Sequence, residues 1–152
     1  MLSRKEVIRE IFDSHPNAVF ITSTGYISRA VYNEYPNNKN IFYMQGSMGL
    51  APCIGLGIAV NTDKDVVVLS GDAALLMHLG IINTITDQSL NNIWLYVLAN
   101  GCHESVGGFE CSDLSNSKLN GVDKVYVISN DGKEDRVGLD SVENTKQIKE
   151  LF

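Results

Sequence analysis

Asp72 stands between two kinds of sequence. Before it, Asp65–Ser70 (DVVVLS) is an apolar run of the kind found in a strand covered on both faces. After it, Ala73–Ile85 carries apolar residues at helical spacing: Leu75, Leu76, Leu79, Ile82 and Ile85. A carboxylate at that junction has two readings. It is an N-cap that accepts hydrogen bonds from helix amides, or it is a ligand. A second apolar run, Ile93–Leu98 (IWLYVL), ends in Ala99-Asn100-Gly101, so Asn100 occupies the corresponding strand end. If the two strands are neighbours, a carboxylate and an amide oxygen converge. Hard oxygen donors suit Mg²⁺ or Ca²⁺, and Mg²⁺ completes its octahedron with waters and substrate phosphates. A helix beginning at Ala73 adds backbone amides and the positive end of a dipole, which favour phosphate. The predicted chemistry is a phosphate ester or diphosphate held through a metal.

The other segments must build the sheet that carries these tips. Ala18–Thr22 and Ile41–Met44 are short β-rich runs, and Val122–Ile128 reads as a third strand after Asp65–Ser70 and Ile93–Leu98. Ser28–Tyr35 makes a short helix stopped by Pro36. Leu50–Val60 mixes Gly, Ala and Ile and reads as a helix whose small residues allow close approach to a neighbour. Asn100–Leu119 reads as a long loop, and Val142–Phe152 as a closing helix with Lys146 and Lys149 near its C-terminal end. Alternating strands and helices predict an α/β fold, a mostly parallel sheet with helices on both faces, as a single domain over residues 1–152. In such sheets ligands bind beyond the carboxyl ends of the strands.

Composition narrows the function classes. A net charge of −6 without a basic run argues against general nucleic-acid binding. No apolar stretch reaches the roughly 18 residues of a membrane helix. Met1–Phe12 alternates charged and apolar residues, unlike a secretory leader. Cys53, Cys102 and Cys111 lack framework spacing and read as reduced thiols of a cytoplasmic protein. No Gly-x-Gly-x-x-Gly opens a helix and no Walker-type Lys follows a glycine-rich turn, which disfavours a generic nucleotide site. His15 reads as a solvated turn residue, His78 as a helix-surface or interface residue, and Asp131 with Glu134-Asp135 as a solvated face. Arg29 is either solvent-exposed or in contact with a neighbouring subunit or a substrate phosphonate.

Gly71-Asp72-Ala73, followed after residues 74–99 by Asn100-Gly101, resembles the thiamine-diphosphate signature Gly-Asp-Gly…Asn-Asn. Four stretches in order, ITSTGYISR (Ile21–Arg29), GSMGLA (Gly46–Ala51), GDAALLMHLG (Gly71–Gly80) and NGCHESVGG (Asn100–Gly108), together resemble the phosphonopyruvate decarboxylases. Sulfopyruvate decarboxylase β subunits are close relatives that share the Gly-Ser-Met-Gly segment. The likeness runs from about Ala18 to Gly108.

The resemblance implies a thiamine-diphosphate-binding fold of the diphosphate-binding type, with thiamine diphosphate and Mg²⁺ as cofactors. By the same resemblance, Asp72, the side-chain oxygen of Asn100 and the backbone carbonyl of Cys102 ligate Mg²⁺. Amides near Gly71, Ala73 and Ala74 hold the diphosphate, with His103 beside it. Gly46-Ser47-Met48 lies against the pyrimidine: the Gly46 carbonyl accepts from its 4′-amino group, and Met48 enforces the bent cofactor. The implied reaction is decarboxylation of a 2-oxoacid, 3-phosphonopyruvate first and sulfopyruvate second. A non-catalytic scaffold subunit is the alternative. The resemblance covers only the diphosphate half of such a site. It implies a separate pyrimidine-binding subunit, which supplies a glutamate, and hence a hetero-oligomer. Three residues depart from the family pattern: Ala73 for Gly, Ala99 for the first Asn, and Phe109 where relatives often carry Gln.

Overall fold

Ser3 starts the first helix. Its hydroxyl accepts from the Glu6 amide and the Glu6 carboxylate accepts from the Ser3 amide, a capping box that opens α1 (Arg4–Ser14). The sequence reading did not assign this helix. In the computed structural model, which describes residues 1–152, the chain then alternates strand and helix: β1 (Val19–Thr22), α2 (Tyr26–Glu34), β2 (Ile41–Tyr43), α3 (Ala51–Ala59), β3 (Val66–Gly71), α4 (Asp72–Met77), α5 (Ile81–Gln88) and β4 (Ile93–Ala99). A small hairpin follows, β5 (Cys102–His103) with β6 (Phe109–Glu110), then β7 (Lys124–Val127) and α6 (Ser141–Lys149).

β1, β2, β3, β4 and β7 form one parallel sheet in the order β2-β1-β3-β4-β7. Alternate residues of each buried strand point to opposite faces and seed two cores. Phe20, Val67, Leu69, Leu98 and Tyr126 pack under α1 and α2. Val19, Ile21, Val66, Val68, Leu95 and Val97 pack under α3 to α6. Burial on both faces is why these strands read as unbroken apolar runs. The expected small-residue approach is real. A Cβ on Gly55 of α3 would lie 2.3 Å from a methyl of Val68, so only glycine lets the helix sit this close to β3.

Two expectations are corrected. The periodic stretch 73–85 is two helices, because α4 ends in a cap at His78 and α5 starts after Gly80. The apolar period survives the break, since Leu75, Ile82 and Ile85 still face one core. The expected loop 100–119 contains the β5–β6 hairpin. No helix is long and apolar enough to cross a membrane.

Strand order fixes where a ligand fits. From β1 the chain moves outward to β2 on one side, while β3 and β4 lie on the other. The crevice between the carboxyl ends of β1 and β3 is therefore the topological switch point.

Candidate active site

A cavity opens at that crevice. Ser23 and Thr24 line it from the end of β1, Gly71 and Asp72 from β3, and Leu98 and Asn100 from β4. Register explains the meeting: Gly71 pairs with Leu98, so Asp72 and Asn100 are carried just past adjacent, hydrogen-bonded strand tips. Met48, Ala73, Ala74, Cys102 and His103 line the same cavity. The structure thus gathers most of the residues singled out by sequence. Gly46 and Ser47 are the exceptions; they are exposed and line a separate groove beside α6.

Asp72 is 2% exposed. Gly71, not Asp72, is the N-cap of α4, and it makes no side-chain cap bond. The N-cap reading of Asp72 is therefore replaced: it is the first helical residue. Its Oδ1 accepts from the Ala73 amide at 2.8 Å and its Oδ2 from the Gly101 amide at 2.7 Å. A carboxylate offers about four acceptor sites, so each oxygen keeps capacity toward the cavity. Ala73 lies inside α4, and the non-glycine residues with positive φ are Ser47 and Ser89. Its methyl therefore brings no left-handed strain.

Asn100 is oriented by its neighbours. Its Nδ2 donates to Glu104 Oε2 at 3.0 Å and to Asn130 Oδ1 at 2.8 Å. Only Oδ1 is left to accept, and it takes the Cys102 amide at 3.3 Å. Glu104 is fixed in turn: Oε2 also pairs with Arg4, and Oε1 accepts the Gly132 amide at 2.9 Å.

Arg4 is the site residue that sequence reasoning missed. It lines the cavity although only 1% exposed, and it pairs with Glu104 and Glu134. Its partners lie 100 and 130 positions away, and its one local signal was the capping box that starts the helix carrying it. Glu134 corrects the solvated-face reading, being 8% exposed and tied to Arg4, Lys5 and Asn33. His15 corrects the solvated-turn reading: its Nε2 meets the Tyr96 hydroxyl at 2.8 Å and its ring packs on Trp94. His78 is exposed, as read.

Met48 owes its position to a tight turn. Ser47 (φ 50°) and Gly49 (φ 91°) both lie in the left-handed region. A Cβ on Gly49 would come within 2.7 Å of the Ala74 carbonyl oxygen, so the turn presses against α4. The three cysteines are unpaired. Burial, and then the nearby Asp72 carboxylate, push the Cys111 thiol up to about 11. Burial, reinforced by Glu104, raises that of Cys102.

No three His, Cys, Asp or Glu side chains cluster as a metal cage. A divalent cation held by Asp72 and amide oxygens would need further oxygens from its ligand. That donor set fits a magnesium diphosphate and does not fit a closed structural metal.

Residues 22–126 match the model of the thiamine pyrophosphate enzyme, C-terminal TPP binding domain. The chain belongs to this family. It is 39% identical over 107 residues to sulfopyruvate decarboxylase subunit beta of Methanothermobacter thermautotrophicus, covering 70% of this chain and 57% of that one. It is 31% identical to the same subunit of Methanococcus maripaludis, over 91% of this chain and 77% of that one. It is 40% identical to phosphonopyruvate decarboxylase of Streptomyces hygroscopicus over 61% of this chain and 23% of that enzyme. The chain therefore spans somewhat over half of the first relative and about a quarter of the last. A solved structure described as a thiamin diphosphate-dependent enzyme from Mycobacterium smegmatis superposes with a TM-score of 0.63 at 22% identity, over 75% of this chain and 24% of that one; it shows the same fold.

Proposed function

We propose that this chain is the diphosphate- and Mg²⁺-binding subunit of a cytoplasmic 2-oxoacid decarboxylase that converts 3-phosphonopyruvate to phosphonoacetaldehyde and CO₂. One observation carries the reading: a buried carboxylate, Asp72, and an amide oxygen, Asn100, share a cavity at the tips of two hydrogen-bonded strands. Asp72, Asn100 Oδ1 and the Cys102 carbonyl hold the cation. Amides at Gly71 and Ala74 would hold the diphosphate, where the start of α4 favours negative charge, while the Ala73 amide is taken by Asp72 Oδ1. His103 stands beside it. Met48, fixed by its left-handed turn, would pack against the cofactor, and the Gly46 carbonyl would accept from the pyrimidine amino group. Thiamine diphosphate, when bound, supplies the electron sink for loss of CO₂. This chain's share is orientation and charge compensation.

Gly46 and Ser47 lie exposed outside the cavity. A site that uses them needs a second surface, so the pyrimidine-binding half is assigned to a separate subunit of a hetero-oligomer. The relatives designated as beta subunits, one of them aligned with 91% of this chain, support that organisation. They also favour a second reading, with sulfopyruvate as substrate. Of the two departures that motivate a scaffold role, Ala73 is unstrained in its helix and Ala99 remains.

The test is calorimetry of thiamine diphosphate binding with and without Mg²⁺ in the complete complex. Asp72→Ala abolishes the Mg²⁺-dependent binding; unchanged affinity would remove the metal role. Turnover of both acids, with and without this chain, identifies the substrate. Equal turnover without it would mean a scaffold.

A further inference from the structure

The chain has four arginines. Arg4 is paired with Glu104 and Glu134, and Arg9 with Glu34. The other two, Arg29 and Arg136, meet in one open pocket of about 280 Å³ at the carboxyl ends of β1 and β2. No carboxylate lines it. Arg29 donates its one hydrogen bond to the backbone carbonyl of Glu134 at 3.4 Å and lies over the Tyr26 ring. The Glu134 carboxylate faces away, toward Arg4, Lys5 and Asn33. In a chain of net charge −6, the two arginines without an ion-pair partner share one concavity.

The pocket has fixed walls. Ser28, 1% exposed, forms part of its floor and bonds the Ser23 and Met44 carbonyls, joining the ends of β1 and β2. Gln45 donates to the Leu139 carbonyl at 2.6 Å and holds the segment that carries Arg136 above it. Thr24 lines both this pocket and the Asp72 cavity, so one residue separates the two.

Two guanidinium groups without a counter-ion repel each other, and an anion between them relieves that. The planar guanidinium fork matches tetrahedral oxyanions in paired hydrogen bonds. We propose that Arg29 and Arg136 form the subsite for the phosphonate or sulfonate on the far carbon of the 2-oxoacid. This rests on the decarboxylase reading and extends it to the residues that select the substrate class.

The experiment has two readouts. In the first, phosphonoacetate and sulfoacetate, which have no 2-oxo group to react, are titrated calorimetrically into the full chain and into Arg29→Gln and Arg136→Gln. Binding weakens at least tenfold in each variant, and the tighter of the two anions names the oxyanion. Equal binding to wild type and both variants, or none to any, overturns the subsite. In the second, steady-state kinetics of the reconstituted complex shows KM for the preferred acid raised at least tenfold in Arg29→Gln. Thiamine diphosphate affinity of that variant complex, read by calorimetry, stays at the wild-type value. An unchanged KM in an active complex overturns the proposal. A wild-type complex that turns over neither acid overturns the decarboxylase reading instead, and the titration still decides the pocket.

Discussion

At the scale of single residues, Arg4 is a buried charge held by two carboxylates. Its side chain is 1% exposed and faces the carboxylates of Glu104 and Glu134, whose side chains are 15% and 9% exposed. Removing one member of such a group leaves uncompensated charge in a poorly solvated place, which typically costs about 3–5 kcal/mol. Arg4→Met should lower the urea midpoint accordingly, and a loss below about 1 kcal/mol would mean that water re-enters to solvate Glu104 and Glu134. The same substitution should weaken cofactor binding, because Glu104 also holds the amide of Asn100. A second residue-scale outcome concerns Cys111. Burial and Asp72 hold its thiol near 11. A thiol raised above its ordinary value is almost wholly protonated at neutral pH, and the thiolate is the nucleophile. Alkylation of Cys111 by iodoacetamide should therefore be slow at pH 8 and accelerate steeply toward pH 11. Rapid labelling at pH 8, read by peptide mass spectrometry, would show that the thiol is not held protonated by its surroundings.

At the scale of elements, two joints matter. Gly49 joins the turn bearing Met48 to α4, and its left-handed backbone alone makes alanine cost about 1–2 kcal/mol. The Ala74 carbonyl cannot retreat without breaking α4, so Gly49→Ala should lower the melting temperature well beyond Gly46→Ala, whose site is open. Equal melting points would show that the turn is not locked. The outer edge of β2 is the other joint. Asn144 of α6, 2% exposed, accepts from the Tyr43 amide at 3.1 Å and donates to its carbonyl at 2.8 Å, while Gln147 donates to the Ile41 carbonyl. Asn144→Ala leaves both β2 groups unpaired and should cost about 1–3 kcal/mol in urea unfolding. The two joints differ in what the sequence tells of them. Asp72 and Asn100 were legible because continuous apolar runs mark strands buried on both faces, and the strand tips follow from their ends. The Gly49 turn was legible only as a motif. α1 hid behind alternating charge, with Ser3 and Glu6 as its one start signal, and the break between α4 and α5 left the apolar period intact. Arg4 with Glu134, and Asn144 with Tyr43, depend on contacts more than 100 positions apart, which no local pattern encodes.

At the scale of the whole molecule, the β2 edge of the sheet is covered while the end that carries the site is not. α6 covers the edge at β2, and Leu2 pairs with Ile128 just beyond β7. At the site, the β5–β6 hairpin holds Val106 and Phe109 in the open, 61% and 71% exposed. Phe109 also closes over Gly107, where an added Cβ would lie 2.7 Å from its ring. An aromatic ring this exposed contributes little to the isolated chain, but at an interface it buries a large apolar area at low conformational cost. On the proposed reading, in which a second subunit supplies the pyrimidine-binding half, this hairpin is a further surface for that subunit, since Val106 itself lines the Asp72 cavity. Phe109→Ser should therefore leave the unfolding free energy of the separate chain within about 0.5 kcal/mol. It should weaken assembly with the partner by tenfold or more in sedimentation velocity, and cofactor affinity should fall in parallel. Undiminished assembly would place the subunit contact elsewhere and leave Phe109 as a lid residue over the hairpin's own turn.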